Sequence, residues 1–384
     1  MKTVLIITSV ASMVDQFLFP TLELFQNMEY EVHVACNFEK GNTCSDERVL
    51  ELKSKLRDMN ILYHQIDFAR EVSKISENIR AYKEVYKLVS DHKYDLIHCH
   101  SPIGGVITRL ACRNFRKQGM KVFYTAHGFH FYKGAPIKNW LIYYPIEKFC
   151  SRLTDMLITI NKEDYDLAKE KFSAKETIYI PGVGIDVEKF SSFPFSVDEK
   201  RKFRDEIGVP HDAKLLASVG ELNANKNHQL VLRAMALLKD KTVHYAIAGI
   251  GDNDKNLIRM ATELGLSENL HLLGYRTDIA RIYKAADICC FPSIREGLGL
   301  AAVEAMACGL PLVAAENRGT RDICVQGVNG FLSSPFSPEE FKENLEKLLN
   351  DDKLCDSMRK ANVERAKYFS VKDVTKLMRE IYSC

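Results

Sequence analysis

Short, almost continuously apolar segments alternate along this chain with longer segments that carry apolar residues at helical spacing. This alternation limits the fold more than any other feature, because such apolar runs suit the strands of a parallel sheet covered by helices on both faces. In the first half, strands are predicted at 4–8, 31–35, 95–99, 122–125 and 156–160. The segment 71–92 is long enough for a crossover helix.

The same pattern restarts after Pro181, which predicts a second domain of the same class. Strands are expected there at 215–219, 245–248, 270–273, 288–291 and 312–314. Helices are expected at 227–239, 254–264, 278–285, 338–350, 353–367 and 371–382. The predicted fold class is therefore α/β, with Rossmann-like parallel-sheet domains at 1–185 and 186–367 and a C-terminal helical segment at 368–384.

Composition is that of a soluble globular protein of two domains, with 384 residues, 46% hydrophobic and 27% charged. The eleven cysteines form no C-x-x-C pair and mostly lie in apolar runs, which indicates reduced, buried thiols and a cytoplasmic protein. The N-terminal apolar run is too short for a signal peptide, and no segment reaches the roughly 18 apolar residues of a membrane span.

A glycine loop followed by an alanine-rich helix occupies 292–309, with a new apolar strand after Pro311. Backbone N–H groups of such a loop can approach a phosphate closely, and the helix dipole favours the same anion. The loop residues concerned are Gly297, Leu298, Gly299 and Leu300. Glu296 and Glu304 flank them, and on spacing alone they are either surface carboxylates or acceptors for the hydroxyls of a sugar nucleotide.

These two glutamates, the Gly-Leu-Gly-Leu between them and the continuation E-A-M-A-C-G-x-P closely resemble the signature of retaining nucleotide-sugar glycosyltransferases of glycosyltransferase family 4, which have the GT-B fold. The resemblance implies two domains that face each other across a cleft and a final helix that crosses back to the first domain. It also implies that Glu296 orients the donor sugar and Glu304 the ribose. The stretches HGFHF, YYPIEK and TINKEDY further resemble bacterial capsule and exopolysaccharide transferases.

Lys226 is predicted in the first turn of a helix that Asn225 caps. A lysine at a helix N-terminus is unfavourable unless an anion binds nearby, so Lys226 is expected to bind a diphosphate, with a solvated surface lysine as the alternative. The family resemblance implies the same role. Many relatives carry an arginine directly after the preceding glycine, where this chain has Glu221. The open candidates for a replacement cation or donor contact are Arg276, Arg295, Arg318 and Arg321.

His127 is expected at the carboxyl end of strand 122–125, where Gly128 permits a tight turn. The alternatives are a structural histidine and a ligand-binding one; the resemblance implies a contact with the donor sugar from the first domain. His98 and His100 lie two residues apart, but no third ligand at useful spacing supports a metal site.

Metal and cofactor patterns are otherwise weak. The D-x-D sequences at 164–166 and 252–254 are interpreted as solvated acids and helix caps. No complete dinucleotide fingerprint or P-loop occurs. The reaction is therefore expected to need no metal and no cofactor beyond the nucleotide-sugar donor, with Lys226 and the loop N–H groups stabilising the departing diphosphate.

The predicted activity is transfer of a hexose or N-acetylhexosamine from a nucleotide diphosphate, UDP by resemblance, to a hydroxyl with retention of configuration. Two alternatives stay open at this point. One is a sugar-nucleotide epimerase on a related two-domain scaffold, and the other is a non-catalytic nucleotide-binding partner.

The segment 92–152 carries ten Lys or Arg and two acids, a net charge of +8 against +2 for the whole chain. A helix at 105–117 would gather Arg109, Arg113, Arg116 and Lys117 on one face. With the aromatic and lysine-rich segment 131–144, this face predicts peripheral docking on an anionic membrane at the inner face of the plasma membrane, and a lipid-linked saccharide as acceptor. A solvated basic helix is the alternative, and nucleic acid is disfavoured because no binding motif accompanies the charge.

Overall fold

The computed structural model describes residues 1–383 and divides them into two compact units. The first unit contains Met1–Val183 and the chain from Val374 onward, and the second contains Gly184–Asp373. The predicted domain boundaries at 185/186 and 367/368 lie close to these divisions. Cys384, the last residue of the predicted C-terminal segment, lies outside the described residues.

The first unit is built on a seven-stranded, fully parallel sheet with the strand order β3-β2-β1-β4-β5-β6-β7. Its strands are β1 (Lys2–Val10), β2 (Tyr30–Asn37), β3 (Leu62–Gln65), β4 (Leu96–His100), β5 (Lys121–Ala126), β6 (Met156–Thr159) and β7 (Glu176–Tyr179). The direction of strand addition reverses between β1 and β4. Such a reversal leaves a crevice at the carboxyl ends of the two strands, where ligands of open α/β sheets bind.

The helices of the first unit are α1 (Ala11–Met13), α2 (Phe19–Asn27), α3 (Asp46–Asp58), α4 (Ile75–Asp91), α5 (Pro102–Cys112), α6 (Ile137–Ser151) and α7 (Lys162–Lys171). A short π-helical turn, Val14–Leu18, joins α1 to α2. The core contains the strands themselves: residues 4–7 of β1 are completely buried because helices cover both faces of the sheet.

The second unit has a six-stranded parallel sheet with the order β10-β9-β8-β11-β12-β13. Its strands are β8 (Lys214–Val219), β9 (Val243–Ala248), β10 (Leu270–Gly274), β11 (Ile288–Phe291), β12 (Leu312–Ala315) and β13 (Gly330–Ser333). Its helices are α8 (Val187–Ser191), α9 (Val197–Glu206), α10 (His228–Leu238), α11 (Asp254–Glu263), α12 (Ile279–Ala285), α13 (Leu300–Ala307), α14 (Arg318–Ile323), α15 (Pro338–Leu349) and α16 (Asp352–Ala366). Here the reversal lies between β8 and β11. The predicted class, two Rossmann-like parallel-sheet domains, is confirmed.

The last helix, α17 (Val371–Ser383), begins in the second unit and from Val374 packs within the first. The ring of Tyr382 lies 4.2 Å from that of Phe25, centroid to centroid, and its hydroxyl lies 2.7 Å from Nδ1 of His98. The prediction that the final helix returns to the first domain is therefore confirmed.

The predicted basic face is wrong. Helix α5 ends at Cys112 with Arg113 as its C-cap, and Phe115–Gln118 form a separate 3-10 turn, so Arg116 and Lys117 are not in helical register with Arg109. Arg109 is 0% exposed and donates to Glu147 at 2.8 Å, while Arg116 pairs with Asp155 at 2.7 Å. Opposite charges elsewhere in the fold thus neutralise two of the four side chains.

In the segment 131–144, Phe131 is completely buried and Trp140, Tyr143 and Tyr144 pack against the core, whereas Ile137, Lys138 and Leu141 are exposed, so membrane docking by this segment stays a prediction. None of the helices within residues 1–383 is both long and apolar enough to cross a membrane. The ten cysteines in that range are free thiols, mostly buried, as predicted.

Candidate active site

The crevice between β8 and β11 brings together two residues that the sequence placed 70 positions apart. Lys226 follows β8, and Glu296 follows β11, its neighbour across the reversal of strand order. Both loops therefore leave the carboxyl edge of the sheet side by side. This is the position at which open α/β sheets bind their ligands.

The ammonium group of Lys226 donates to Oε1 of Glu296 at 2.7 Å. The two side chains retain 22% and 16% of their exposure, so the pair is reachable from solvent yet partly desolvated. The ammonium also lies 5.7 Å from the ring centroid of Phe291, the last residue of β11. These contacts fix a positive charge at the mouth of the crevice.

Three asparagines between β8 and α10 hold the lysine loop in place, and the sequence analysis missed two of them. Asn223 accepts from the backbone N–H of Lys226 at 2.9 Å, and Asn225 donates to the Arg295 carbonyl at 3.0 Å. Asn227 donates to the carbonyls of Pro292 and Pro335. Their alternate spacing in the polar turn was the available signal. Asn225 and Asn227 thus link the lysine loop to the loops that follow β11 and β13, while Asn223 braces the lysine loop internally.

The predicted helix start was placed too early. Helix α10 begins at His228, and its N-cap is Asn227 in a left-handed conformation with φ of 55°. Lys226 therefore precedes the helix, and Asn225 is a loop brace and not a cap. An anion at Lys226 is favoured instead by the contact of this lysine with Glu296, which lies three residues before the N-cap of α13.

The glycine loop delivers α13 with its N-terminal end unpaired. Gly299 is the N-cap with φ of 104°, and a Cβ there would lie 2.9 Å from the Phe291 ring, so only glycine fits. Within residues 1–383, no group accepts from the backbone N–H groups of Gly299, Leu300 or Ala301. An anion placed at this end would meet those N–H groups and the positive end of the helix dipole.

Glu304 lies on α13, one turn beyond that N-terminal end. Burial raises the pKa of its carboxyl to about 7, and the opposing charge of Lys189 on α8 does not cancel this rise. Part of the side chain still reaches the surface. A carboxylate so poorly solvated gains from hydrogen-bond donors such as the hydroxyls of a ribose.

Of the four candidate arginines, Arg318 contacts the glutamate loop. It is 5% exposed, and its Nε donates to the Glu296 carbonyl at 3.2 Å. Arg321 instead pairs with Glu316, and Arg295 is exposed. The guanidinium of Arg276 is held by Glu206 and Asp278.

In the first unit, His127 follows β5 and lies beside His100 at the end of β4. Nε2 of His127 is 3.1 Å from Nδ1 of His100. The His98 ring lies 4.1 Å from that of His100, and its two nitrogens contact Thr125 and Tyr382. Burial lowers the pKa of His98 to about 3 and of His127 to about 4, so these imidazoles are neutral at physiological pH. Each neutral ring then has one donor and one acceptor nitrogen.

The interpretation of Asp164 as a solvated acid is wrong. Its carboxylate is fully buried and accepts from the backbone N–H of Phe129 and from Asn161, both at 2.9 Å. It thereby anchors the turn that follows His127. No arrangement of three or more His, Cys, Asp or Glu side chains within residues 1–383 suits a metal ion, and metal independence stays a prediction.

Comparison with known proteins agrees with this geometry. A family model described as "Glycosyl transferases group 1" matches residues 199–365, and one described as "Glycosyl transferase 4-like" matches residues 7–161. The chain is 37% identical over 385 residues to EpsD of Bacillus subtilis (strain 168), whose name assigns it to the glycosyltransferases. That match covers 100% of this chain and 96% of EpsD.

A second relative, from Escherichia coli, is named UDP-Gal:alpha-D-GlcNAc-diphosphoundecaprenol alpha-1,3-galactosyltransferase. It is 28% identical over 88% of this chain and 84% of its own. Among solved structures, Anabaena HepE in complex with UDP shares the fold, with a TM-score of 0.79 at 20% identity over the full length of both chains. The chain belongs to the group 1, family 4-like glycosyltransferases, and is an enzyme of glycosyl transfer.

Proposed function

We propose that this enzyme transfers a hexose or N-acetylhexosamine from UDP to a hydroxyl of a lipid-linked saccharide, with retention of the anomeric configuration. The observation that carries the proposal is the contact between Lys226 and Glu296 beside the unpaired N-terminal end of α13. One cation, one carboxylate and a row of N–H groups match a sugar diphosphate, which presents both anionic oxygens and hydroxyls.

The diphosphate is assigned to Lys226 and to the N–H groups at the start of α13. Negative charge develops on the diphosphate as the glycosidic bond breaks, and fixed donors stabilise it most strongly at that stage. Arg318 is proposed as the second cation, since it is buried against the glutamate loop and this chain has Glu221 where many relatives carry an arginine.

Glu296 is assigned to the hydroxyls of the transferred sugar, Glu304 to the ribose, and His127 to the transferred sugar. The raised pKa of Glu304 supports its part, because a partly buried carboxylate with no ion pair gains most from new hydrogen bonds. Retention of configuration is proposed because Glu296, Glu304 and the residues between them match the complete signature of the retaining family 4 transferases. Uridine is supported by the E. coli relative, whose donor is UDP-galactose by name, and by the HepE complex.

The lipid-linked acceptor is supported by the same relative, which is named for a diphosphoundecaprenol-linked acceptor. Such an acceptor would bring the enzyme to the cytoplasmic face of the membrane and fits the synthesis of a surface polysaccharide. Attraction to an anionic membrane remains part of the proposal, although the four-residue basic face cannot supply it.

A donor panel with product analysis tests the proposal. UDP-linked hexoses and N-acetylhexosamines are incubated with and without a saccharide-diphosphate lipid, and both free UDP and the product's anomeric configuration are measured. Release of UDP only with the acceptor, and a product that keeps the donor's configuration, is the expected result. An epimerised donor without UDP release would establish an epimerase, and neither change with any donor would favour a binding protein.

A further inference from the structure

An apolar groove lies between α4, α5 and α6 of the first unit, apart from every residue assigned to glycosyl transfer above. Its volume is about 320 Å³, which is within the range of small-molecule sites. Ile79 of α4, Val106 and Leu110 of α5, and Ile146 of α6 contribute to its walls. The groove is thus lined almost entirely by hydrocarbon.

The carboxylate of Glu147, which lines the groove, already has hydrogen-bond partners within the protein. Glu147 accepts from Nη2 of Arg109 at 2.8 Å and from the Tyr124 hydroxyl at 3.2 Å. The Arg109 guanidinium also stacks 4.0 Å from the Tyr124 ring centroid. This buried network fixes α5 to α6 and leaves no free charge for a polar ligand in the groove.

A larger, polar pocket of about 740 Å³ adjoins the groove. It lies at the reversal of strand order in the first sheet, where the hydroxyl of Ser9 in β1 lies 2.7 Å from that of Ser101, which follows β4. Arg70 and His130 also line it, together with Glu71, whose carboxylate accepts from Ser73. This position and these groups suit the polar part of a ligand.

The two pockets are direct neighbours, because five residues line both of them. These residues are Val72, Ile75, Pro102, Ile103 and Tyr143. A ligand that fills both must carry a polar end and a hydrocarbon end. Helix α5 begins at Pro102 beside the polar end; Pro102 has no N–H and the N–H of Gly104 donates to Ser9, so it is the helix dipole alone that favours a phosphate there.

We propose that the groove holds the isoprenoid chain of the lipid-linked acceptor, with the phosphate and saccharide in the polar pocket. This inference rests on the proposed function and specifies where the acceptor's lipid binds. Exposed aliphatic side chains in the lining on both sides support it: Ile75 and Ile79 on α4, and Ile142 on α6. A chain longer than the groove would continue along these side chains toward the bilayer. Exposed apolar side chains beside a groove are typical of such contacts.

The test uses short, soluble phosphates that carry one, two or three isoprene units: dimethylallyl, geranyl and farnesyl phosphate. Binding is followed by the fluorescence of Trp140, the one tryptophan of the chain, which lies one turn before Tyr143 on α6. We expect affinity to rise at least tenfold for each added unit until the groove is full, about 1.4 kcal/mol per tenfold step. Inorganic phosphate alone should leave the fluorescence unchanged.

Ile79→Glu places a charge in the groove and should abolish this dependence on chain length. Ile258→Glu on α11 of the second unit is the matched control, because Ile258 is 53% exposed against 52% for Ile79, and it should behave like the unaltered protein. Ile75→Glu provides a second groove variant, and thermal melting checks that all three variants fold.

Affinity that does not depend on chain length, or equal behaviour of the Ile79 and Ile258 variants, would overturn the proposal. Loss of self-association as the one effect of Ile79→Glu would instead identify the face as a contact between copies and equally overturn it. Because this assay needs no glycosyl transfer, chain-length-dependent binding without transferase activity would contradict the proposed function alone. If the rate of transfer to saccharide-diphosphate lipids does not depend on the length of the lipid, this would contradict the proposed lipid groove alone.

Discussion

The ammonium of Lys226 lies 2.7 Å from a carboxylate oxygen of Glu296, and this contact joins two loops that leave neighbouring strands of the second sheet. Without a donor, the glutamate neutralises the lysine and holds it in place. A bound diphosphate would draw the same ammonium toward itself and free Glu296 for hydroxyl groups. The pair therefore links binding of the diphosphate to orientation of the sugar.

Lys226→Ala should lower kcat by about 10²-fold or more, because it removes a fixed donor to the departing diphosphate. Glu296→Gln keeps the shape of the side chain and should lower kcat by a similar factor. Steady-state kinetics with a UDP sugar and the acceptor measure both. The double variant should lose little more than either single one, since the two groups act as a unit. Fully additive losses would show that they act independently.

Activity should depend on the ionisation of Glu304, whose pKa burial raises to about 7. The ribose hydroxyls need the ionised form as acceptor, so kcat/KM for the donor should fall about tenfold per pH unit below that value. Glu304→Gln should raise KM for the donor and abolish this limb of the pH profile. A profile that is unchanged in Glu304→Gln would contradict the assignment to the ribose.

The same group predicts a change in stability with pH. Its pKa is higher in the folded chain than the ordinary 4.5, so the native state holds the proton more tightly and loses stability as pH rises from about 4.5 to about 7. Above pH 7, the raised pKa of Glu304 lowers the free energy of unfolding by about 3 kcal/mol at most. Glu304→Gln should therefore raise the melting temperature at pH 8 but not at pH 5. Glu364→Gln, at an exposed helical position, should change it at neither pH.

Arg109 and Arg113 should respond very differently to the same substitution. Arg109→Glu leaves two carboxylates buried together and should destabilise the first unit by at least about 3–5 kcal/mol, whereas Arg113 is exposed and Arg113→Glu should change stability by less than about 0.5 kcal/mol. Urea denaturation followed by circular dichroism measures both. Equal midpoints for the two variants would place Arg109 at the surface, as the basic-face prediction required.

His100 should act as a positioning residue for His127. Its Nδ1 contacts Nε2 of His127, so it decides which nitrogen of His127 carries the proton. His100→Phe should lower kcat/KM by about five- to tenfold, the value of one hydrogen bond, with little change in melting temperature. His100→Gln, which keeps a polar partner, should recover part of the loss. The ¹⁵N shifts of the His127 ring should change in the Phe variant; unchanged shifts would refute the role.

The reaction should proceed in excess EDTA. Lys226, Arg318 and the start of α13 supply the positive charge that a divalent ion supplies to a diphosphate in other sites. Transfer rates with and without chelator measure this directly. Loss of activity in EDTA that manganese restores would contradict it.

Sequence patterns were sufficient for the interior strands and for the edge strand β10, but they missed the other three edge strands. β1, β4, β5, β8 and β11 are nearly continuous apolar runs, and all were predicted. β3 with the sequence LYHQ, β7 with ETIY and β13 lie at the edges of their sheets. β3 and β7 are partly exposed along their length, so their sequences carry less of the apolar signal, whereas β13 is mostly buried but only four residues long.

The site shows a similar limit. Glu296, Glu304 and Lys226 could be chosen from local motifs, but the contact between Lys226 and Glu296 depends on which strands are adjacent. The basic-face prediction failed for the same reason, since Glu147 and Asp155 lie far along the chain from Arg109 and Arg116. Helical spacing places residues on a face only while the helix continues, and α5 ends before three of the four basic residues.

A crystal structure with UDP bound would test the assignment of Lys226 and α13 to the diphosphate. We expect the diphosphate within hydrogen-bonding distance of Lys226 Nζ and of the N–H groups at the start of α13, with the ribose hydroxyls on Glu304. UDP bound elsewhere, for example in the polar pocket of the first unit, with the contact between Lys226 and Glu296 undisturbed, would refute this assignment.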